Sequence, residues 1–326
     1  MTILVTGAAG FIGFNVSLAL LGRGDRVVGV DTVNDYYDVK LKEARLAKLK
    51  QHENFQFVQA NVSDLTAMQD LARQYGPFPR VVHLAAQAGV RYSLENPMAY
   101  VESNLVGHAS IVELCHQTDS FEHLVYASSS SVYGGNATVP FSTDNRVDRP
   151  ISLYAATKAA DELMSYTYSH LFDLPQTGLR FFTVYGPWGR PDMALYLFTD
   201  AILHDRPIRV FNFGDMRRDF TYIDDIVDGT VRALDRPPVR SGENPPHRVF
   251  NLGNNRAEPL LKVIEILEQA LGKKAEKLLE PIQPGDVRET FADISVAAKE
   301  LGFAPKTSIE EGVLRFVEWY HEYHGR

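Results

Sequence analysis

Strand-like apolar runs alternate with helix-like segments from Thr2 to Phe182, a glycine run stands at the first strand-to-helix turn, and an aspartate closes the second strand. Together these predict an α/β chain built on a doubly wound parallel sheet, with a smaller α/β domain C-terminal to it. The runs of strand type fall at residues 2–5, 26–30, 55–59, 81–84, 123–127 and 177–182. The segment 11–21 between the first two has helical periodicity, so the chain opens with a β-α-β unit. Repetition of that unit needs both faces of the sheet covered, which fits strands that read as continuous apolar runs.

After residue 182 the texture changes. Glycine and proline recur in YGPWGRP, NFGDM, RPPVRSGENPP and QPGD, with helical stretches at 260–271 and 309–323 between them. This predicts a cofactor domain at 1–182 and a substrate domain at 183–326, with the strand-like 247–252, inside 223–253, partly returning to the first. Internal repeats and low-complexity tracts are absent from the sequence.

Composition excludes several classes. The chain has 326 residues, 45% hydrophobic and 23% charged, the balance of a soluble globular enzyme with a substantial core. Formal charge is 33 − 41 = −8 with no basic run, which argues against nucleic acid. No apolar stretch approaches the roughly 18–20 residues that cross a bilayer, and neither signal peptide nor anchor is expected. The single cysteine, Cys115, cannot form an intramolecular disulfide and sits in a core-like helix, so a cytoplasmic protein without a metal site is expected.

Gly7, Gly10 and Gly13 follow a strand and open a helix, the context in which a glycine pattern carries a physical meaning. Small residues let the backbone approach a pyrophosphate, and the N–H groups of Phe11, Ile12 and Gly13 point at it from the helix terminus. Asp31 ends the second strand, where a carboxylate accepts from adenosine ribose hydroxyls and repels a 2′-phosphate, which favours NAD over NADP. Leu84, Ala85 and Ala86 follow the strand at 81–84 where the chain passes such a cofactor, although a strand ending in a buried turn gives the same residues. Asn61 and Val62 suit the adenine edge, or a simple turn.

Four serines, Ser128 to Ser131, stand at the carboxyl end of the strand 123–127, where ligands of doubly wound sheets bind. Downstream, Tyr154 and Lys158 are four apart on a predicted helix and share one face. Free tyrosine titrates near pH ~10 and needs a neighbouring cation to act as a base at neutral pH. A serine hydroxyl from the run can donate to a forming ketone and help pass its proton to Tyr154, although four serines alone read equally as a serine-rich turn.

TGAAGFIG, Asp31, HLAA at 83–86, SSSSVYG and YAATK resemble the extended short-chain dehydrogenase/reductase superfamily, in its nucleotide-sugar epimerase branch, over almost the whole chain. DTVNDYYDVKLKEARL, AAQAGVRYSLENP and FFTVYGPWGRPDMA most resemble UDP-glucuronate 4-epimerases. The resemblance implies a Rossmann-type cofactor domain, NAD held by Tyr154 and Lys158 besides the glycine turn, and Ser129, Tyr154 and Lys158 in the catalytic positions. It implies UDP-glucuronate turned into UDP-galacturonate through a transient 4-keto sugar, the ring rotating between oxidation and reduction. It also implies a homodimer paired through 97–117 and 152–172.

Thr183 stands where UDP-glucose 4-epimerases usually carry asparagine. With Ser130, Ser131 and Arg190 it suits a sugar carboxylate. Arg91 is a second candidate for a substrate anion, and each arginine has the alternative of a structural ion pair. GDMRRDFTYIDD resembles the segment that grips the diphosphate, which falls on Arg218. PGDVRETFAD resembles a nucleotide loop, with Asp286 for the ribose and Arg288 for phosphate, although such epimerases often have proline at the latter position. Val210 and Phe211 flank the uracil or simply pack. Open alternatives are a 4-epimerase of UDP-glucose or UDP-N-acetylglucosamine, a UDP-glucuronate decarboxylase, and a non-catalytic NAD-binding sensor.

Overall fold

The computed structural model describes residues 1–135 and 138–325. Its first six strands are β1 (Thr2–Thr6), β2 (Arg26–Asp31), β3 (Phe55–Gln59), β4 (Arg80–His83), β5 (His123–Ser129) and β6 (Gln176–Phe181). Six more follow: β7 (Thr183–Tyr185), β8 (Ile208–Phe211), β9 (Arg217–Tyr222), β10 (His247–Leu252), β11 (Ala257–Pro259) and β12 (Lys277–Glu280). The main sheet is seven-stranded in the order β10-β6-β5-β4-β1-β2-β3, with every neighbouring pair parallel. That is the doubly wound arrangement expected from the sequence, extended by one strand beyond β6. Strand ends shift by at most two residues from the expected runs, most at β5, which takes in Ser128 and Ser129.

Ile3, Leu4, Val5, Val27, Val28, Val30, Val81 and Val82 are buried, as parallel strands covered on both faces require. One core packs helices Phe11–Gly22 and Ile223–Leu234 on one face of the sheet, through Phe14, Leu20, Ile226 and Ala233. The other packs helices Leu65–Tyr75 and Gly107–His116 against the opposite face, through Met68, Leu71, Ile111 and Val112. The turn before Gly107–His116 is a π-helix, Val101–Val106. Such a turn carries one extra residue and re-aims a side chain; here the buried one is Asn104.

β10 runs parallel to β6 from His247 opposite Gln176 to Leu252 opposite Phe181. Residues 183–325 otherwise form a three-stranded sheet, β11-β9-β7, a two-stranded sheet, β12-β8, and helices Ala194–Leu203, Leu260–Leu271 and Ile309–His324. The two long helices fall where helical periodicity placed them. The individual strands of the small sheets were not placed from the sequence; all but β9 have only three or four residues, too few to show alternation.

Candidate active site

A cleft of about 1190 Å³ opens at the carboxyl ends of the main-sheet strands and runs between the two halves of the chain. At its base, Gly7 has φ +72°, and a Cβ there would sit 2.8 Å from the Ala85 nitrogen and 2.9 Å from the Leu84 carbonyl carbon. A Cβ on Gly13 would lie 2.1 Å from the Gly7 oxygen. The turn therefore packs backbone on backbone, and only glycine fits. Helix Phe11–Gly22 starts after Gly10 with no side-chain cap, so its first N–H groups stay available to an anion. The Asp31 carboxylate lines the same cleft while accepting from Ala9 N–H at 3.1 Å and Val33 N–H at 2.8 Å. Two bonds tie its oxygens to the turn and leave further acceptor capacity toward the cleft.

An uncapped helix terminus, a cradle that a Cβ would fill and an acidic strand end together fit a dinucleotide. Phe11, Ile12, Leu84, Ala85, Ala86, Asn61 and Val62 line the same cleft. Thr6 fixes the approach of the next strand: its hydroxyl oxygen accepts from Leu84 and Ala85 N–H and lies 2.7 Å from His83 Nδ1. Burial, with smaller contributions from His108 and Lys158, pushes His83 well below its usual range, so this imidazole is neutral.

The serine run splits by what its hydroxyls meet. Ser128 also borders the cleft, but its hydroxyl is committed to Glu162, to which it donates at 2.5 Å. Glu162 in turn takes both Nε and Nη2 of Arg180, at 2.8 and 2.7 Å, and Arg180 donates to the Tyr133 hydroxyl at 3.0 Å. Tyr133 donates to Asn251 on β10 at 2.6 Å. This buried network fixes the strand ends under Ser129, whose hydroxyl caps a 3₁₀ turn by accepting from Ser131 N–H at 3.2 Å. Ser129, Ser130 and Ser131 all line the cleft.

Helix Leu153–Phe172 is started by Ser152, which accepts from Ala155 N–H, so Tyr154 lies in its first turn at the cleft wall. Tyr100 packs edge-on to Tyr154, with centroids 6.1 Å apart. One turn further, Lys158 lines the cleft and donates to the Ala127 carbonyl at 2.9 Å and to Asp161 Oδ2 at 3.0 Å. The ammonium is thus anchored to β5 and to its own helix. The helix is held from the other side by Asn104, which donates to Thr157 at 3.0 Å and exchanges bonds with the Gln87 backbone.

Thr183, Arg190, Phe211, Arg218, Asp286 and Arg91 also line the cleft. Arg190 is paired with Asp192, and Asp192 also accepts from the Tyr36 hydroxyl at 3.0 Å. Arg91 donates to Asp286 at 2.9 Å and stacks 4.3 Å from the Phe211 ring centroid. Arg218 donates to the carbonyls of Arg217 and Arg288 and has no carboxylate partner among the described residues. Burial lowers its pKa, which Asp286 partly offsets. A cation held against carbonyls beside a cleft suits an anion.

Two expected substrate residues do not reach the cleft. The Val210 side chain is fully buried in the main core, because strand alternation on β8 turns it inward where Phe211 turns outward. The Arg288 side chain points into solvent and pairs with Asp215 at 2.9 Å; only its carbonyl contributes, by holding Arg218. Conversely, sequence reasoning passed over Tyr36, Asp192 and Asn104. Asp192 was visible two positions after Arg190, whereas Asn104 announces itself only through the π-turn. No cluster of metal-ligating side chains occurs among the described residues.

A backbone cradle that fits a dinucleotide, opening beside a tyrosine whose lysine is anchored to the central sheet, is the arrangement of a nicotinamide-dependent enzyme. The chain belongs to the NAD dependent epimerase/dehydratase family, whose model matches residues 3–253. It is 48% identical over 334 residues to UDP-glucuronate 4-epimerase 4 of Arabidopsis thaliana, covering 99% of this chain and 76% of the relative. A probable UDP-glucuronate 4-epimerase of Rhizobium meliloti is 47% identical over 338 residues, covering 100% and 98%. The fold is similar to that of the UDP-glucuronic acid 4-epimerase from Bacillus cereus in complex with UDP-glucuronic acid and NAD. The TM-score is 0.90 at 34% identity, with 99% of this chain and 100% of the other covered.

Proposed function

We propose that this chain is a UDP-glucuronate 4-epimerase that forms UDP-galacturonate. The observation that carries the reading is one cleft lined by Tyr154 and Lys158, by the hydroxyls of Ser129, Ser130, Ser131 and Thr183, and by the carboxylate-free cation Arg218. Relatives and structural neighbours with that activity support the choice of sugar.

NAD fits the cradle of Gly7, Gly10 and Gly13 with Asp31, and its nicotinamide supplies a reversible hydride acceptor. Tyr154 takes the proton of the C4 hydroxyl and later returns it, while Lys158 favours its phenolate and Ser129 donates to the forming ketone. Arg218 holds the diphosphate while the sugar turns over, so strong binding is concentrated away from the reacting carbon. A 4-keto uronic acid is a β-keto acid and loses carbon dioxide when the breaking bond aligns with the carbonyl π system. Thr183 and the serine hydroxyls, by holding the carboxylate out of that alignment, keep the reaction an epimerisation.

Purified protein given UDP-glucuronate forms UDP-galacturonate with no net NADH and little UDP-pentose; UDP-pentose as main product would make it a decarboxylase. In this reading residues 1–182 bind the cofactor and 183–326 the nucleotide sugar. Exposed apolar side chains in the segments 97–117 and 152–172, among them Met98, Val106, Leu163 and Leu171, support a homodimer joined there, which light scattering tests. The lone buried thiol, Cys115, supports a cytoplasmic setting, and no helix among the described residues is long and apolar enough to cross a membrane.

A further inference from the structure

Lys158 does not stand alone behind Tyr154. Its ammonium has three protons; one goes to the Ala127 carbonyl and one to Asp161 Oδ2, at 3.0 Å, leaving one for the cleft. Asp161 is 0% exposed and Lys158 3%, so solvent screens neither charge. The second oxygen of Asp161, Oδ1, is buried without a hydrogen-bond partner. A carboxylate that served packing alone would be expected to have both oxygens satisfied, since a buried unpaired acceptor costs stability.

The other groups packed around this pair carry little free charge. On the same helix Glu162 is consumed by Arg180 from β6. His108, from helix Gly107–His116, pairs with the Ser165 hydroxyl at 2.8 Å, and burial holds it down at about 3. His83, from β4, is neutral by burial, and Tyr126, from β5, is pushed up by burial and by Glu162 and Asp161. Asp161 is therefore the nearest group able to alter the net charge that Lys158 presents.

We propose that Asp161 is a positioning residue for the reaction: its carboxylate fixes the Lys158 ammonium and offsets part of its charge, and so sets the pH range in which Tyr154 works as a base. The proposal rests on Tyr154 and Lys158 being the catalytic pair. Without that anion the Lys158 charge would act undiminished on a neighbouring phenol, and a nearby cation favours phenolate. Burial, outweighing Lys158, pushes Asp161 itself up to about 6, so the offset is withdrawn as the pH falls through that value.

The test compares wild type, Asp161→Asn and Asp161→Ser, each loaded with NAD. Asparagine keeps an acceptor for Lys158 and removes the charge; serine is the smaller alternative should asparagine not fold, and carries the same expectation. Two quantities are read: the acid limb of kcat/KM for UDP-glucuronate, and the ultraviolet tyrosinate titration taken as the difference from the same protein bearing Tyr154→Phe. Both should move to lower pH by about one unit, with KM on the plateau within about twofold of wild type. A limb and titration that stay in place, or move to higher pH, overturn the proposal. If wild type does not turn over UDP-glucuronate, the functional reading fails, and the tyrosinate titration still decides the role of Asp161.

Discussion

Arg190 and Asp192 face each other as a two-point pair, Nε to Oδ1 at 2.9 Å and Nη2 to Oδ2 at 2.6 Å. One edge of the guanidinium is thereby committed to a resident carboxylate, and only its remaining N–H groups are left for a sugar. The pair also holds Tyr36 at the cleft wall, so it sets the shape of that part of the cleft. Asp192→Ala would leave a largely buried cation unpaired. Part of the pair is solvent-accessible, so the expected loss is about 2 kcal/mol, read by urea unfolding, together with a higher KM.

Tyr154→Phe removes one oxygen and leaves the edge-on packing against Tyr100 intact. Turnover should fall by about 100-fold or more, while UDP affinity, measured by calorimetry, stays near wild type. Near-normal turnover would remove Tyr154 from the reaction.

Gly13→Ala places a methyl 2.1 Å from the Gly7 oxygen, a contact that backbone cannot relieve. The purified variant should carry little NAD, as judged by nucleotide released on denaturation. Full occupancy would mean that the turn is not the dinucleotide cradle.

Arg218 and Arg288 are neighbours through a carbonyl yet differ in what their side chains face. Arg218→Ala should raise KM by about tenfold or more, the loss of a charged hydrogen bond, with kcat less affected. Arg288→Ala should leave both within about twofold, because its guanidinium only meets Asp215 in solvent. Equal effects in steady-state kinetics would reverse this distinction.

Glu268 supplies a pH test independent of the site. Burial alone would raise its pKa, but Lys274, Lys277 and the Ala275 N–H outweigh it and bring it down to about 2. A depressed carboxyl contributes stability that is fully present above the ordinary value of 4.5 and lost as pH falls toward 2. Glu268→Gln should therefore lower Tm by several degrees at pH 7, with the difference shrinking below about pH 4.

What was legible in the sequence is what short stretches decide. The glycine turn, Asp31 and the Tyr154–Lys158 spacing each depend on a handful of adjacent residues, and each lines the expected cleft. Val210 and Arg288 went astray because their orientation depends on the phase of short strands and loops that only tertiary packing fixes. The same holds for β7, β8, β11 and β12, and for Asn104, whose inward aim depends on one extra residue in a helical turn. Asp161 lies one turn beyond Lys158, but its meaning rests on burial, which spacing does not reveal.

The return of β10 to the far edge of the main sheet bears on how the protein is made. Until residue 252 has left the ribosome, β6 has an unpaired edge, and Tyr133 lacks Asn251, which closes the hydrogen-bonded chain beneath the serines. Residues 1–182 are therefore not a module that can be cut away. A fragment ending at residue 182 would expose a parallel edge and, having lost the last anchor of the network beneath its serines, should aggregate rather than bind a dinucleotide.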